Sequence, residues 1–293
     1  MGGDFAAALA AGPLVLDGGL SNQLAAAGHR LSGGLWTARL LAEDPGALVA
    51  AHRAYVAAGA QVVTTASYQA SVEGFERCGV GRAAAERLLA SSVGLAREAG
   101  ARWVAASVGP YGAVLADGSE YRGRYGLSVA ELERFHRPRL ELLAAAGPDV
   151  LALETVPDAV EAEALVRAVR GLGVPAWLSF TVANGRTRAG QPLAEAFAVA
   201  AGVPELVAVG VNCCAPGEVG GAVRTAVAVT GLPAVAYPNS GERWVDGGWR
   251  GAAAGPAGFA ADWVAAGARL VGGCCQVGPA EIGELAAVLA TGG

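Results

Sequence analysis

Eight apolar runs of strand length alternate with eight helix-like segments along this 293-residue sequence. The alternation predicts an α/β fold, a single (β/α)8 TIM-type barrel with parallel strands, as one domain over residues 1–293. The runs are continuously apolar, which is typical of parallel strands buried on both faces. An open doubly wound sheet is the rival fold, and it should carry a glycine-rich fingerprint after its first strand. Asp17-Gly18-Gly19-Leu20 does not match that fingerprint, so the barrel is preferred.

The element boundaries follow from the apolar runs and from capping residues. Asp44 precedes Pro45 as an N-cap, and Ser128-Val129-Ala130-Glu131 forms a capping box. The predicted strands are Pro13–Asp17, Gln61–Ala66, Trp103–Val108, Asp149–Glu154, Pro175–Thr181, Leu206–Asn212, Ala234–Pro238 and Arg269–Gly273. The predicted helices are Pro45–Gly59, Gly81–Gly100, Ser128–Gly147, Asp158–Gly171, Pro192–Ala201, Glu218–Gly231, Pro256–Gly267 and Pro279–Thr291.

Three irregular, glycine-rich stretches follow the C-terminal ends of predicted strands: Gly28–Trp36, Tyr111–Leu127 and Ser240–Gly255. The loops at this end of a barrel build its active site. We therefore expect the three stretches to cover a substrate site rather than to link domains.

Composition and charge exclude several classes of protein. A hydrophobic content of 53% indicates a globular chain with a sizeable core, and a net charge of −5 gives no reason to expect nucleic acid or an anionic membrane as partner. Neither a signal peptide nor a membrane span of about 20 apolar residues is visible, which predicts a cytoplasmic protein. A homo-oligomeric state stays open.

The basic residues also limit the chemistry. All 21 residues in the Lys and Arg class are arginine, which excludes Schiff-base catalysis, a pyridoxal phosphate lysine and a P-loop lysine. The three histidines, His29, His52 and His136, form no His-Glu-x-x-His motif. A metal site or a nucleophile must therefore come from cysteine or carboxylate.

Two vicinal cysteine pairs end predicted strands, Cys213-Cys214 and Cys274-Cys275. Adjacent cysteines form a disulfide with each other only under strain, so metal binding or catalysis is favoured. If the two strand ends lie side by side, three thiolates can converge on one Zn²⁺ and leave its fourth position open. Adjacent side chains on an extended chain alternate in direction, so only one of Cys213 and Cys214 should reach the metal. The fifth cysteine, Cys78, is expected to be a buried small hydrophobe.

A zinc ion held by three thiolates is a poor Lewis acid towards a carbonyl, but it can bind and activate a substrate thiol. Asp17 and Glu154 end other predicted strands and could hold a substrate ammonium group, although Asp17 could instead bind the backbone of its own Gly-Gly turn. The pocket could be lined by aromatic residues, whose faces attract onium cations: Trp36, Tyr68, Tyr237 and Trp244.

Val211-Asn212-Cys213 and Gly272-Gly273-Cys274-Cys275, with Asp17-Gly18-Gly19, resemble the zinc-dependent homocysteine S-methyltransferases. Further matches along the chain are Leu35–Ala38, Thr65–Ser71, Glu154–Pro157 and Tyr237–Glu242. The Ser67–Ser71 and Tyr237–Glu242 stretches resemble the branch that uses S-methylmethionine or S-adenosylmethionine rather than betaine.

The resemblance implies a (β/α)8 barrel in which a zinc-activated homocysteine thiolate takes a methyl group from a sulfonium donor to give methionine. It implies Cys213, Cys274 and Cys275 as zinc ligands and as the catalytic centre, with Asp17 and Glu154 on the homocysteine amino group. Groups near Gly18, Thr64 and Thr65 would meet the homocysteine carboxylate. The remaining residues expected to bind substrate are Trp36, Tyr68 and Asn239.

Three alternatives stay open on the residues alone. The same scaffold could methylate selenocysteine or another small thiol. It could be a zinc-binding barrel without catalysis, or a redox protein that uses vicinal thiols.

Overall fold

The structure is a computed structural model, and it describes residues 4–31, 35–245 and 248–291. The side chains of residues 243–245, 248 and 249 lie outside that description, and Trp244, a predicted pocket residue, is among them. None of the helices in the described residues is long and apolar enough to cross a bilayer.

The eight predicted strands are all present and form one parallel sheet in the order β1-β8-β7-β6-β5-β4-β3-β2. They are β1 (Leu14–Val15), β2 (Val62–Thr64), β3 (Trp103–Val108), β4 (Val150–Val156), β5 (Ala176–Phe180), β6 (Leu206–Asn212), β7 (Ala234–Tyr237) and β8 (Ala268–Val271). A parallel bridge between Leu16 and Val62 joins the two edge strands, and the Asp17 N–H donates to the Val62 carbonyl at 3.0 Å. The sheet therefore closes into the predicted barrel, and no edge is left unpaired.

Helices surround the barrel, and all eight predicted helices are found. Six have slightly shorter bounds, Pro279–Thr291 matches its prediction, and the helix predicted as Glu218–Gly231 begins two residues earlier, at Pro216. The α-helices are Phe5–Ala11, Leu20–Ala26, Leu40–Glu43, Pro45–Ala57, Val72–Arg77, Arg82–Glu98, Tyr111–Leu115, Val129–Ala145, Ala159–Ala168, Leu193–Ala198, Pro216–Thr230, Ala260–Ala265 and Pro279–Thr291. The 3₁₀ helices are Trp36–Arg39, Ser119–Tyr121 and Pro256–Phe259, the last of which forms the first turns of a predicted α-helix. The capping box at Ser128 is present as predicted.

The first helix, Phe5–Ala11, was not predicted, and it closes the N-terminal end of the barrel. Asp4 caps it, because its side chain accepts from the Ala6 N–H at 2.9 Å. Phe5 and Leu9 are buried with the inward-facing residues of the barrel, and the Phe5 ring packs edge-on against Trp103 with 5.5 Å between centroids. This end is therefore filled, which leaves the opposite end for a site.

Two of the three predicted irregular stretches contain more regular structure than expected, while residues 32–34 of the third, Gly28–Trp36, lie outside the described residues. Tyr111–Leu127 holds one short α-helix and the 3₁₀ helix Ser119–Tyr121. Ser240–Gly255 holds a small antiparallel hairpin of Arg243–Val245 and Gly248–Arg250. A second hairpin, Val182–Ala183 with Arg186–Thr187, follows β5 at the same end of the barrel.

Candidate metal and substrate site

A cavity opens at the C-terminal ends of the barrel strands, where the chain places most of the predicted site residues together. The predicted residues that line it are Gly18, Trp36, Thr64, Thr65, Tyr68, Glu154, Cys213, Cys274 and Cys275. Tyr237, which the sequence named as a pocket aromatic, lines it too. Asp17 and Asn239 stand behind this wall.

The three cysteines meet on one side of the cavity. The Sγ atoms of Cys213, Cys274 and Cys275 all lie within 4.8 Å of one another, although the first belongs to the end of β6 and the others follow β8. The Sγ atoms of Cys213 and Cys274 are in direct contact, with 5.6 Å between the Cα atoms of the two residues. Three thiolates around Zn²⁺ stand about 3.8 Å apart if each Zn–S bond is about 2.3 Å. As three thiolates, the set therefore fits a tetrahedral metal with one open position.

The other two cysteines, Cys214 and Cys78, lie outside the cluster, one buried and one exposed. Cys214 is buried in the apolar layer outside the barrel, as strand alternation predicts for the neighbour of Cys213. Burial raises the pKa of the Cys214 thiol to about 12, so the group stays neutral. The expectation for Cys78 was wrong, because it is exposed at the end of the helix Val72–Arg77.

Hydrogen bonds between loops hold the sulfur atoms in register. The Cys213 N–H donates to the Tyr237 carbonyl at 3.1 Å, and the Cys274 N–H donates to the Pro238 carbonyl at 2.6 Å. Asn239 joins both cysteine segments: its N–H donates to the Cys214 carbonyl at 2.9 Å, and its Oδ1 accepts from the Cys275 N–H at 3.2 Å. The structure thus places Asn239 against the backbone of the cysteine loops rather than on the cavity wall.

Asp17 lies beneath the cavity floor and is fully buried. Its carboxylate accepts from the Thr64 N–H at 2.8 Å and from the Tyr237 hydroxyl at 2.7 Å. These partners belong to β2 and β7 and not to the Gly18-Gly19 turn, which was the alternative expectation. Burial raises the pKa of Asp17 to about 7, against the lowering effect of its hydrogen bonds.

Glu154 is the carboxylate on the cavity wall itself. Its side chain accepts a short hydrogen bond from the Ser107 hydroxyl on β3. Burial, with a contribution from the charge of Asp17, raises the pKa of Glu154 to about 7. Two carboxylates that are hard to ionise alone are suited to a cationic ligand, since a bound ammonium would favour their charged forms.

The neutral part of the cavity floor comes from Gly18, Thr64 and Thr65. A Cβ atom on Gly18 would collide with the Val277 carbonyl oxygen and the Tyr55 ring, so this position needs glycine. The Thr65 hydroxyl lies 2.6 Å from the Ser67 hydroxyl and accepts from the Ser107 N–H at 3.0 Å.

Comparison with known proteins identifies the family of the chain. The sequence profile of the homocysteine S-methyltransferase family matches residues 14–289. This chain belongs to the homocysteine S-methyltransferase family. Escherichia coli homocysteine S-methyltransferase is 44% identical over 94% of this chain and 94% of its own length. Homocysteine S-methyltransferase 4 of Zea mays is 43% identical over 94% of this chain and 89% of its own length.

A solved structure shows the same barrel in a family member that carries metal. The metallated form of the Escherichia coli homocysteine methyltransferase MmuM superposes with a TM-score of 0.85 and 42% identity, over 94% of this chain and 96% of that one. The family is thus one in which a member binds metal, and the cysteine cluster is a metal-capable set in this chain.

Left-handed backbone is concentrated at the rim of this homocysteine S-methyltransferase barrel. Thr155 has φ of 60° and Cys213 has φ of 47°, and Trp36 and Gln276 lie in the same region at 44° and 61°. Such a φ is unusual for residues other than glycine, above all for a β-branched one, and it collects at functional sites. Each of the four residues lines the cavity or adjoins a residue that does.

Asn212, which served only as part of a motif in the sequence, holds Thr155 in that conformation. Its Oδ1 accepts from the Thr155 N–H at 2.6 Å and from the Ser179 hydroxyl at 2.8 Å, and its Nδ2 donates to the Thr155 Oγ1 at 2.7 Å. Asn212 immediately precedes Cys213, so one buried amide links the cysteine to β4, the strand that carries Glu154. The sequence feature that could have revealed this role is that Asn212 is a polar residue at the end of an otherwise apolar strand.

Proposed function

We propose that this chain is a homocysteine S-methyltransferase that uses Zn²⁺ and a sulfonium donor, S-methylmethionine or S-adenosylmethionine. The observation that carries the proposal is the meeting of three cysteine sulfurs within 4.8 Å on the wall of a cavity that also presents Glu154. When bound by Cys213, Cys274 and Cys275, Zn²⁺ would supply an open position that keeps the homocysteine sulfur as a thiolate near neutral pH.

The residues of the chain would bind and orient the amino acid part of homocysteine. Glu154 on the cavity wall would accept hydrogen bonds from its ammonium group, and Asp17 would reinforce that preference from behind Thr64 and Tyr237. Donors near Gly18, Thr64 and Thr65 would meet its carboxylate. This arrangement would hold the sulfur at the cysteine cluster and leave the outer end of the cavity for the donor.

The chemical step transfers one methyl group between two sulfur atoms. The S–CH₃ bond of the sulfonium breaks, a new bond forms to the homocysteine sulfur, and the donor leaves as a neutral thioether. The thiol proton goes to solvent, so no general base need touch the methyl carbon. Trp36 and Tyr68 would place aromatic faces beside the sulfonium before its charge is lost, and positioning would supply much of the rate.

The test is a donor panel with a metal assay on protein purified under reducing conditions. We expect about one zinc per chain, a ratio that follows from one cluster of three thiolates. We also expect methionine from homocysteine with S-methylmethionine or S-adenosylmethionine but not with betaine, and loss of turnover after chelation. Zinc-replete protein that forms no methionine with any donor would favour the non-catalytic alternative, and faster turnover of selenocysteine would favour the selenol acceptor.

The closeness of the Cys213 and Cys274 sulfurs supports one second candidate, a protein that would use these two thiols in thiol–disulfide exchange. Reversible oxidation together with metal-free, methyl-transfer-inactive reduced protein would support it. The cytoplasmic location stays a prediction, and it suits the proposal because a reducing compartment keeps the three ligands as thiols. The homo-oligomeric state also stays open, and mass measurement in solution will decide it.

A further inference from the structure

Within the part of the chain that the structure describes, no cationic side chain lines the cavity to receive the carboxylate of a second amino acid. Among the described residues, those that line it include no Arg, Lys or His, while Glu154 and three cysteines do line it. S-Methylmethionine carries a carboxylate, as homocysteine does. The neutral hydrogen-bond donors on the cavity floor can serve only one of these two carboxylates, so the other carboxylate needs a partner elsewhere.

Tyr121 forms the outer wall of the cavity, and it was not predicted. It lies on the 3₁₀ helix Ser119–Tyr121, with its hydroxyl beside the Cys275 sulfur. Tyr121 is 39% exposed, whereas Thr65 on the floor is 3% exposed, so Tyr121 marks the mouth of the cavity. A donor that transfers a methyl group in line to a sulfur held at the cysteines must arrive from this side.

Arg188 places a guanidinium on the other face of this wall. Its Cζ atom lies 5.8 Å from the centroid of the Tyr121 ring. The side chain is exposed and takes part in no ion pair among the described residues. Glu120, next to Tyr121 in the chain, is absent from the ion pairs of the described residues as well, so it forms none with Arg188.

The backbone around Arg188 is anchored, although its side chain is free to meet a ligand. The neighbours Thr187 and Ala189 are buried. The Ala189 N–H donates to the Pro157 carbonyl at 2.9 Å, and the Ala189 carbonyl accepts from Arg124 Nε at 2.9 Å. The guanidinium is therefore presented from a fixed point beside Tyr121, next to the residues that line the cavity, and a planar fork of donors suits a carboxylate.

We propose that Arg188 binds the α-carboxylate of the methyl donor and so selects a donor with an amino acid end. This inference rests on the proposed function. The Tyr121 ring, between Arg188 and the cysteines, would lie along the side chain of the donor and face its sulfonium. Homocysteine would occupy the floor beside Glu154.

The test compares S-methylmethionine with its decarboxylated analogue, dimethyl(3-aminopropyl)sulfonium, in wild-type holoenzyme and in Arg188→Gln. We expect the KM for S-methylmethionine to rise on the order of tenfold in Arg188→Gln, with the KM for homocysteine and all constants for the analogue unchanged. Arg188→Lys keeps the charge and should recover part of the loss. Arg186→Gln is the matched control, since Arg186 lies in the same hairpin and donates to the Gly190 carbonyl at 3.0 Å.

An equal loss for both donors, or a rise in the KM for homocysteine alone, would overturn the role of Arg188. Calorimetric titration of S-methylmethionine into the holoenzyme separates this outcome from failure of the proposed function. If wild type transfers no methyl group but binds S-methylmethionine about tenfold more tightly than Arg188→Gln, the proposed reaction is wrong and the carboxylate site stands. If wild type and Arg188→Gln bind it equally, the carboxylate site is wrong.

Discussion

The affinity for an amino acid should depend on pH through the carboxylates of the cavity. Glu154 has a pKa raised to about 7 by burial, so the free protein holds it mostly protonated at pH 6 and mostly ionised at pH 8. An ammonium group binds the ionised form. With a pKa of about 7, the competent fraction rises from about 10% at pH 6 to about 90% at pH 8, so the apparent Kd should fall about tenfold.

Asp17 can steepen this dependence, because burial raises its pKa to about 7 as well. If both carboxylates must ionise, the change in Kd between pH 6 and pH 8 approaches about 100-fold, and their mutual repulsion broadens the transition. The stability of the unliganded protein should fall, not rise, as pH increases. The folded state keeps protons on Asp17 and Glu154 that the unfolded chain loses near pH 4, so these groups lower stability as pH rises from about 4 to 7.

Calorimetric titration with methionine measures the effect cleanly, since its ammonium group stays charged over this range and it carries no thiol to ionise. Glu154→Gln should bind methionine weakly and lose about tenfold of the pH dependence, while Asp17→Asn removes the remainder if Asp17 takes part. A wild-type Kd that is flat from pH 6 to pH 8 would contradict the assigned role. A Glu154→Gln curve as steep as that of wild type would do so too.

Three further substitutions test other parts of the argument. Cys274→Ala should lose bound metal and more than about 10³-fold of kcat while its Tm shifts by only a few degrees, whereas Cys214→Ala should keep the metal. Metal analysis and scanning calorimetry measure these changes. Unchanged turnover of Cys274→Ala would refute the metal site. Asn212→Ala should cost about 2–3 kcal/mol in urea unfolding, because it leaves the Thr155 N–H unpaired; a loss under about 0.5 kcal/mol would show that Thr155 holds its conformation alone. Phe5→Ala should cost about 3–4 kcal/mol with kcat unchanged, since it lies at the closed end of the barrel, and a selective loss of kcat would contradict that separation.

The barrel was predictable because its strands are buried on both faces and its helices carry local end signals. Trp103–Val108 and Leu206–Asn212 match the structure residue for residue. The helix Phe5–Ala11 was missed because seven mostly alanine residues show no helical stripe, and its place is set by the packing of Phe5 and Leu9 inside the barrel. Its one local signal was Asp4 as N-cap.

Some residues of the candidate site could also be predicted from the sequence, and others could not. Cys213, Cys274 and Glu154 could be found because they sit at strand ends, and the topology of a barrel brings strand ends together. The contacts of Asn212 with Thr155 and of Arg188 with Tyr121 could not be found, because they join segments whose approach depends on tertiary packing. No periodic pattern in the sequence predicts a contact between residues so far apart in the chain.

The residues proposed to hold the metal and homocysteine lie on the barrel strands, whereas those proposed to hold the methyl donor lie on loops. The cysteines, Glu154 and Asp17 stand on the barrel strands or directly after them, so the sheet fixes their positions. Tyr121 and Arg188 stand on loops after β3 and β5, which can change without repacking the core. The thiol acceptor and the metal should therefore be constant features of this scaffold, while the methyl donor is open to change by substitution at the mouth. Replacing Arg188 should alter which sulfonium is used and leave the use of homocysteine intact.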